Sequence, residues 1–160
     1  MGPWGRVVKH NMADVNDTVV FPGLGLVRIT ERVTKEDQHE YFHLEGEFRS
    51  AYCLVSEFAK LARPPVSASV AKALIARVQN GKPSVADASG RMTEIMEAGS
   101  AEGMADLLAE LGMNDRDTDT SFHTRTLIGT AKMYLVPELA HALKRSVDEI
   151  EDELKPLKKN

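Results

Sequence analysis

The feature that most constrains the fold of this chain is an abrupt change of residue pattern at Arg63-Pro64-Pro65. Before it, short runs of β-branched and aromatic residues alternate with turn residues, which is typical of a sheet. After it, apolar residues recur at helical spacing. A chain of 160 residues accommodates two small domains. We therefore predict an α+β protein, with residues 1–13 as an N-terminal extension or tag, 14–65 as the first domain and 66–157 as the second.

The first domain is predicted to contain four or five short strands. The clearest run is Thr18 to Phe21, which Pro22-Gly23-Leu24-Gly25 ends with turn chemistry. Further strands are predicted at 26–30, 41–44 and 48–55, and a very short fifth one at 60–62. We expect a small closed or half-closed barrel, because closure removes exposed edges. Its predicted core comprises Val19, Phe21, Val27, Ile29, Tyr41 and Leu44.

The second domain is predicted to be a compact all-α bundle of about five helices. Candidate helix N-caps lie at Ser67, Ser100 and Ser146. Asn80-Gly81 is predicted to end the first helix with a left-handed C-cap. Ser146 and Glu149 have the spacing of a capping box, which starts the last helix. Pro137 falls within the longest helical pattern and is predicted to kink or break that helix.

The residues that carry catalytic chemistry in other proteins show no productive pattern here. The single cysteine, Cys53, excludes an internal disulfide or a multi-thiolate metal site and indicates a reducing compartment, so we predict a cytoplasmic protein. His39 and His43 lack further metal ligands. Gly23 and Gly25 lack the third glycine and the helix of a dinucleotide site. We expect no catalysis, cofactor, metal or small-molecule substrate, and no membrane span, since apolar runs are short.

Charge limits what the chain binds by itself. It has 20 basic and 24 acidic side chains, a net charge of -4. Affinity for nucleic acid comes largely from neutralising phosphates with Lys and Arg. We therefore expect any contact with DNA to be weak or to need another protein.

Four stretches of sequence resemble the CarD/CdnL family of bacterial transcription factors. Asp17 to Gly25, followed by Glu40 to Leu44, is similar to the opening of the family, a V-V-Y/F-P strand with a G-x-G turn and then E/Q-Y-x-x-L. Met104 to Leu111 and Ala131 to Ala140 are similar to two of its C-terminal helices. The similarity spans residues 14–154.

The resemblance implies that the first domain is a Tudor-like or SH3-like barrel, shared with the transcription-repair coupling factor. In the family, this barrel docks on the β subunit of RNA polymerase by pairing edge strands. Arg32 falls near one basic position that the family uses against polymerase. The second such position falls near Cys53, with Arg49 close by. The predicted polymerase contacts are Arg32, Arg49, Tyr52 and Cys53.

The resemblance also implies that the helical domain contacts the upstream edge of the promoter bubble with a tryptophan wedge and basic neighbours. The tryptophan position falls near Val85 or Ala86, and the basic positions near Asp87 and Ala88, so none is retained. A wedge needs a large side chain and cations beside it. We therefore predict weak or altered promoter DNA contact, with Arg91, Arg125 and Lys132 as its candidate residues.

The leading hypothesis is thus a CarD-like transcription regulator that binds the RNA polymerase β subunit. One alternative is an adaptor of the same architecture with a different protein partner. Another is an enzyme of unrecognised type, which predicts a deep polar pocket with perturbed titratable groups. The binding hypothesis instead predicts an unpaired strand at the edge of the first domain.

Overall fold

A computed structural model of the protein describes residues 13–47, 49–81, 94–95, 100–111 and 122–155. The chain divides into two compact units, Met1–Pro65 and Val66–Asn160. The described part of the first unit holds a four-stranded antiparallel sheet and one helix, and that of the second unit is helical. An α+β protein is thereby confirmed.

The sheet of the first unit is a simple meander. Its strands are β1 (Thr18–Phe21), β2 (Gly25–Thr34), β3 (Glu40–Gly46) and β4 (Ser50–Leu54), and they are ordered β1-β2-β3-β4. Gly23 and Gly25 turn the chain from β1 into β2 with φ angles of 82° and 78°, which only glycine adopts at low cost. Both glycines therefore serve backbone geometry, as the sequence predicts.

A β-bulge in β2 changes which face its residues occupy. Ile29 lies opposite Leu44 on the core side, but the next paired residue, Glu31, lies opposite His43. The extra residue, Thr30, reverses the alternation, so that Arg32 lies opposite Phe42 on the core side. Beyond the bulge β2 continues to Thr34, four residues past the end of the strand that the sequence predicted at 26–30.

The core of the first unit lies between one face of the sheet and helix α1 (Val55–Leu61). Phe58 of α1 is buried there, with its ring centroid 5.1 Å from that of Phe42 and 6.0 Å from that of Phe21. The predicted short strand at 60–62 is wrong, because residues 60 and 61 belong to α1. A helix at this point lets Phe58 cover the apolar face that the open sheet would otherwise expose.

The sheet remains open in the part of the chain that the structure describes. β1 and β4 are its two borders and do not pair with each other. Past β1, the sheet continues only through an isolated bridge in which Val20 and Arg63 exchange two backbone hydrogen bonds of 2.8 and 2.9 Å. The predicted barrel is therefore not confirmed.

The second unit packs four described helices around one apolar core. They are α2 (Ala68–Asn80), α3 (Ala101–Leu111), α4 (Phe122–Leu143) and α5 (Val147–Leu154). Of the additional helix predicted around Met92 and Met96, the structure describes only Glu94 and Ile95, which are helical, and the rest lies outside the described residues.

The three predicted N-caps are confirmed. The Ser67 hydroxyl accepts the N–H of Val70 at 3.3 Å, and the Ser100 hydroxyl accepts that of Gly103 at 3.1 Å. Ser146 forms the predicted capping box with Glu149. Such caps depend on neighbours within one helical turn, which is why the sequence is sufficient to locate them.

One helix-end prediction is corrected. Gly81 is extended, with φ at -69°, so it is not a left-handed cap. Glycine is needed there because a Cβ would clash with the Cβ of Ala109 in α3. Of the kink or break predicted at Pro137, the break does not occur, since α4 runs continuously through it. The buried neighbours Val136 and Leu139 keep both sides of the proline anchored in the core.

Candidate functional site

The border strand β4 is paired on one side only in the part of the chain that the structure describes. It pairs with β3 on one side, and no strand in the described ranges pairs with its other side. Its sequence, SAYCL, contains neither a charged residue nor a proline. Proteins usually protect a free border with such residues, because unpaired N–H and C=O groups invite pairing with another chain. β4 is therefore an unprotected edge.

The opposite side of the sheet is better protected. Arg63 covers part of β1 through its bridge to Val20. Residues 31–34 of β2 extend past β1 and include two charged side chains, Glu31 and Arg32. Charge on a border discourages strand addition. Of the two sides, that of β4 is the one suited to accept a partner strand.

Arg32 is occupied by an internal ion pair. Its Nε and Nη2 donate to the two carboxylate oxygens of Glu40 at 2.8 and 3.0 Å. This hydrogen bonding is the main reason that the pKa of Arg32 is raised and the pKa of Glu40 is lowered. Because Arg32 lies in register with Phe42 and Cys53, it is on the core side of the sheet, away from the outer face of β4.

The other three predicted polymerase contacts lie on the β3–β4 hairpin. Arg49 is exposed in the turn, where its carbonyl accepts the N–H of Gly46 at 2.8 Å. Tyr52 is 50% exposed on the outer face of β4. Cys53 is only 8% exposed, and desolvation raises the pKa of its thiol, with a smaller contribution from Glu57. In this fold, Cys53 can meet a partner only through its backbone.

Arg32 and Arg49 do not form one cationic patch. Arg32 is level with Phe42, whereas Arg49 bonds to Gly46 at the far end of β3. Four residues of strand separate those two levels, which corresponds to about 13 Å. The structure therefore does not gather the four predicted contacts in one patch: Arg32 is level with Cys53 on the core side, Tyr52 lies on the outer face, and Arg49 lies in the turn at the other end of the hairpin.

The outer face of the sheet carries a group of side chains that no sequence pattern indicated as a group, which we call the tyrosine platform: Lys35, Tyr41, His43 and Tyr52. The Lys35 Nζ lies 3.6 Å from the ring centroid of Tyr52 and 4.7 Å from that of Tyr41. The rings of His43 and Tyr52 are 4.8 Å apart. The platform thus adjoins the unprotected border.

Tyr41 was predicted to be in the core, and this prediction is wrong. Its neighbour Phe42 is the buried residue, and Tyr41 is only half-buried on the outer face. Side chains alternate along a strand, so Tyr41 and the buried Leu44, three residues apart, cannot share a face of a regular β3. The odd spacing between Tyr41 and Leu44 was therefore the feature of the sequence that could have excluded Tyr41 from the core.

The tyrosine platform is fixed by hydrogen bonds from its neighbours. The Tyr41 hydroxyl donates to Asp37 Oδ2 at 2.5 Å, and this bond is the main reason that the pKa of Tyr41 is raised and that of Asp37 lowered. The Thr30 hydroxyl lies 2.6 Å from His43 Nδ1. Thr30 is the extra residue of the bulge, so the bulge itself helps to orient the platform.

The candidate DNA contacts are only partly described. Arg91 lies outside the described residues. Arg125 is exposed and Lys132 half-buried on α4, seven residues apart and thus on one side of the helix, about 10 Å apart along its axis. Elsewhere in the described part of the second unit, three basic residues pair with acidic ones: Arg77 with Asp106, Arg145 with Glu149 and Glu153, and Lys155 with Asp152.

Within the described ranges, no group of three or more His, Cys, Asp or Glu residues is arranged to hold a metal ion. None of the described helices combines the length and the apolarity that crossing a membrane requires.

Comparison with known proteins identifies a family for the helical part of the chain. The family described as CarD, C-terminal domain, matches residues 69–155, just over half of the chain. A search of curated proteins finds no match. The matched region contains all four described helices of the second unit except Ala68, the first residue of α2.

Proposed function

This chain belongs to the CarD family, and from that premise we propose that it is a transcription regulator that binds the β subunit of RNA polymerase through β4. Association with RNA polymerase follows from the family itself. The β subunit as the docking partner, and a Tudor-like role for the first unit, are the parts that we add. We place this activity in the cytoplasm and without catalysis.

The observation that carries the proposal is the unprotected border at β4. An incoming strand forms main-chain hydrogen bonds that require no particular side chain, so this mode of binding tolerates sequence change. Five residues without charge or proline offer such a strand an uninterrupted ladder. Because backbone groups carry the binding, the burial of Cys53 is no obstacle to its participation.

Side chains beside the border supply the specificity. Exposed Tyr52 offers an aromatic surface next to the added strand, and aromatic residues are prominent at the energetic centres of interfaces. Arg49 provides a charge at one end of β4. Arg32 has a lesser role, since its guanidinium is already bound by Glu40.

We propose that the helical unit contacts promoter DNA only weakly, or differently from other family members. Arg91, Arg125 and Lys132 are the residues through which such contact is expected. Three other basic side chains of this unit are engaged in ion pairs with its own carboxylates, which reduces the charge available for phosphates. DNA contact would then depend on polymerase to bring the two together.

The test is a binding titration of the whole protein against the isolated β-subunit lobe of the polymerase. We expect wild type to bind at micromolar concentration and R49E to bind about tenfold more weakly, because an interface charge is reversed. K60E is the control, since Lys60 is also basic and exposed but lies on α1.

Absence of wild-type binding at about 100 µM would refute the proposal. It would mean a dissociation constant far above the micromolar value expected for docking at β4. It would favour an adaptor with another protein partner. Equal weakening by R49E and K60E would show that net charge, rather than the β4 border, governs the interaction.

A further inference from the structure

The tyrosine platform places a fixed positive charge beside the β4 border. Lys35 projects from the β2–β3 loop, and its ammonium lies over the rings of Tyr52 and Tyr41 at 3.6 and 4.7 Å. The attraction between an ammonium and an aromatic ring holds the side chain in this place. A charge that is held in advance loses less conformational entropy when a partner binds.

Asp37 attracts Lys35 electrostatically, but no described carboxylate lies within ion-pair distance of its ammonium. Asp37, nearby in the same loop, is already engaged: Oδ2 accepts the Tyr41 hydroxyl, and Oδ1 accepts the backbone N–H of His39 at 3.0 Å. Two other cations of this unit differ, because Arg32 pairs with Glu40 and Lys60 with Glu57. Lys35 therefore retains the capacity to bind a carboxylate from outside.

The position of Tyr52 decides where that carboxylate would come from. Tyr52 is the central residue of β4, and it lies opposite His43 on the outer face. A strand added to β4 would place a side chain about 5 Å from Tyr52, measured between Cβ atoms. An aspartate or glutamate at that point would meet the Lys35 ammonium above the ring.

The outer face of β3 carries a negative charge two residues beyond His43. Exposed Glu45 lies opposite Ser50, at the beginning of β4. A two-residue slip of an added strand towards Ser50 would keep its side chains on the same face but move an acidic residue from the level of Tyr52 to the level of Ser50. There it would lose the attraction of Lys35 and would lie two strand spacings, about 10 Å, from Glu45, a distance at which like charges still repel at low salt. The border therefore distinguishes one register from the next.

We propose that Lys35, held over Tyr52, is a specificity-determining residue that selects an incoming β-strand with a carboxylate side chain opposite Tyr52. This inference rests on the proposed docking of a partner strand at β4. It adds the chemistry of that strand and its register, and it assigns the selection to a residue that lies outside the border strand itself.

The test compares wild type, K35M, K35R and K60M for binding to the isolated β-subunit lobe at several salt concentrations. K35M keeps the aliphatic stem and loses the charge. We expect it to bind about fivefold more weakly, and its affinity to depend less on salt. K35R keeps the charge and should bind as wild type does. K60M makes the same charge change on α1 and should also bind as wild type does.

The outcomes separate the two proposals. If wild type does not bind the lobe, docking at β4 is refuted, and the selection by Lys35 with it. If wild type binds and K35M matches it in affinity and salt dependence, the role of Lys35 alone is overturned. Equal losses in K35M and K60M would also overturn it, since they would reflect general charge attraction. Urea unfolding of each variant verifies that the fold is intact.

Discussion

Two glycines of the helical unit show how contacts at the scale of single residues decide what a position tolerates. A Cβ on Gly81 would lie 2.7 and 2.9 Å from the Cα and O atoms of Ala109, so backbone would have to move. A Cβ on Gly129, in the exposed part of α4, would have nothing within 4 Å. The same substitution should therefore have opposite effects at these two sites.

We predict that G81A lowers the free energy of unfolding by about 1–3 kcal/mol, the usual cost of overpacking. G129A should raise it by about 1 kcal/mol, since alanine is the better helix former. Urea denaturation of both variants measures the difference. If G81A left the free energy of unfolding unchanged, α2 and α3 could move apart at little cost, and the close approach of Gly81 to Ala109 would not constrain the fold.

The sequence predicted the roles of single residues well where their hydrogen-bond partners are near in the chain. The caps Ser67, Ser100 and Ser146 bond within one turn, so their spacing was sufficient. Gly81 was predicted to be a left-handed cap, whereas the reason for glycine there is the close approach of Ala109. That contact was not predictable, because Ala109 is distant in the chain. The platform was missed for the same reason: the contact of Lys35 with Tyr52 depends on strand pairing.

At the scale of elements, α5 is stabilised by a carboxylate at its start. Glu149 Oε1 accepts both the N–H and the hydroxyl of Ser146 at 3.1 Å. These two bonds lower the pKa of Glu149 below its ordinary value of 4.5, and Arg145 adds a smaller attraction. A carboxylate at a helix N-terminus also interacts favourably with the helix dipole.

A carboxyl group with a lowered pKa in the folded state stabilises the fold above its unfolded pKa, and this contribution is lost as the pH falls through the folded value. We therefore predict that E149Q is less stable than wild type at about pH 7 and that the two converge at about pH 3. Urea unfolding at both pH values tests this. E36Q, which alters an exposed loop carboxylate, should follow wild type throughout. A difference that persisted at the lower pH would assign the effect to packing instead.

Among elements, most strands and helices were predictable because their local patterns are strong. The run that became β1, TVVF, consists of β-branched and aromatic residues, whereas those that became β3 and β4 contain aromatic residues but no β-branched ones. Helix α1 was mistaken in part for a strand, since its seven residues are too few to show helical periodicity. The bulge in β2 was not predictable, because it exists only relative to β3.

At the scale of the whole molecule, the net charge of -4 makes a prediction about DNA. The protein alone should not shift a promoter duplex at physiological salt up to about 10 µM, because nonspecific affinity requires several phosphate contacts. A band-shift titration with and without polymerase measures this, and the double variant R125Q K132Q should leave the polymerase-free result unchanged. A shift by wild type alone would contradict the charge argument.

The whole-molecule prediction was right in class and family, and incomplete in the shape of the sheet. Short motifs at both ends of the chain pointed to the CarD family, which the match over residues 69–155 shows. They could not indicate which border of the sheet is open. That depends on the bridge between Val20 and Arg63, whose partners are distant in the chain.

This bridge also limits how many molecules can join edge to edge. Because Arg63 bridges to β1 and charged residues of β2 extend past β1, the described sheet has one border that can pair with another strand rather than two. Two such sheets can meet as a closed pair, but a third has nowhere to attach, so growth into a fibre is blocked. A pair formed in that way would occupy the same five residues that a partner needs. Self-association through β4 and the proposed docking would therefore exclude each other.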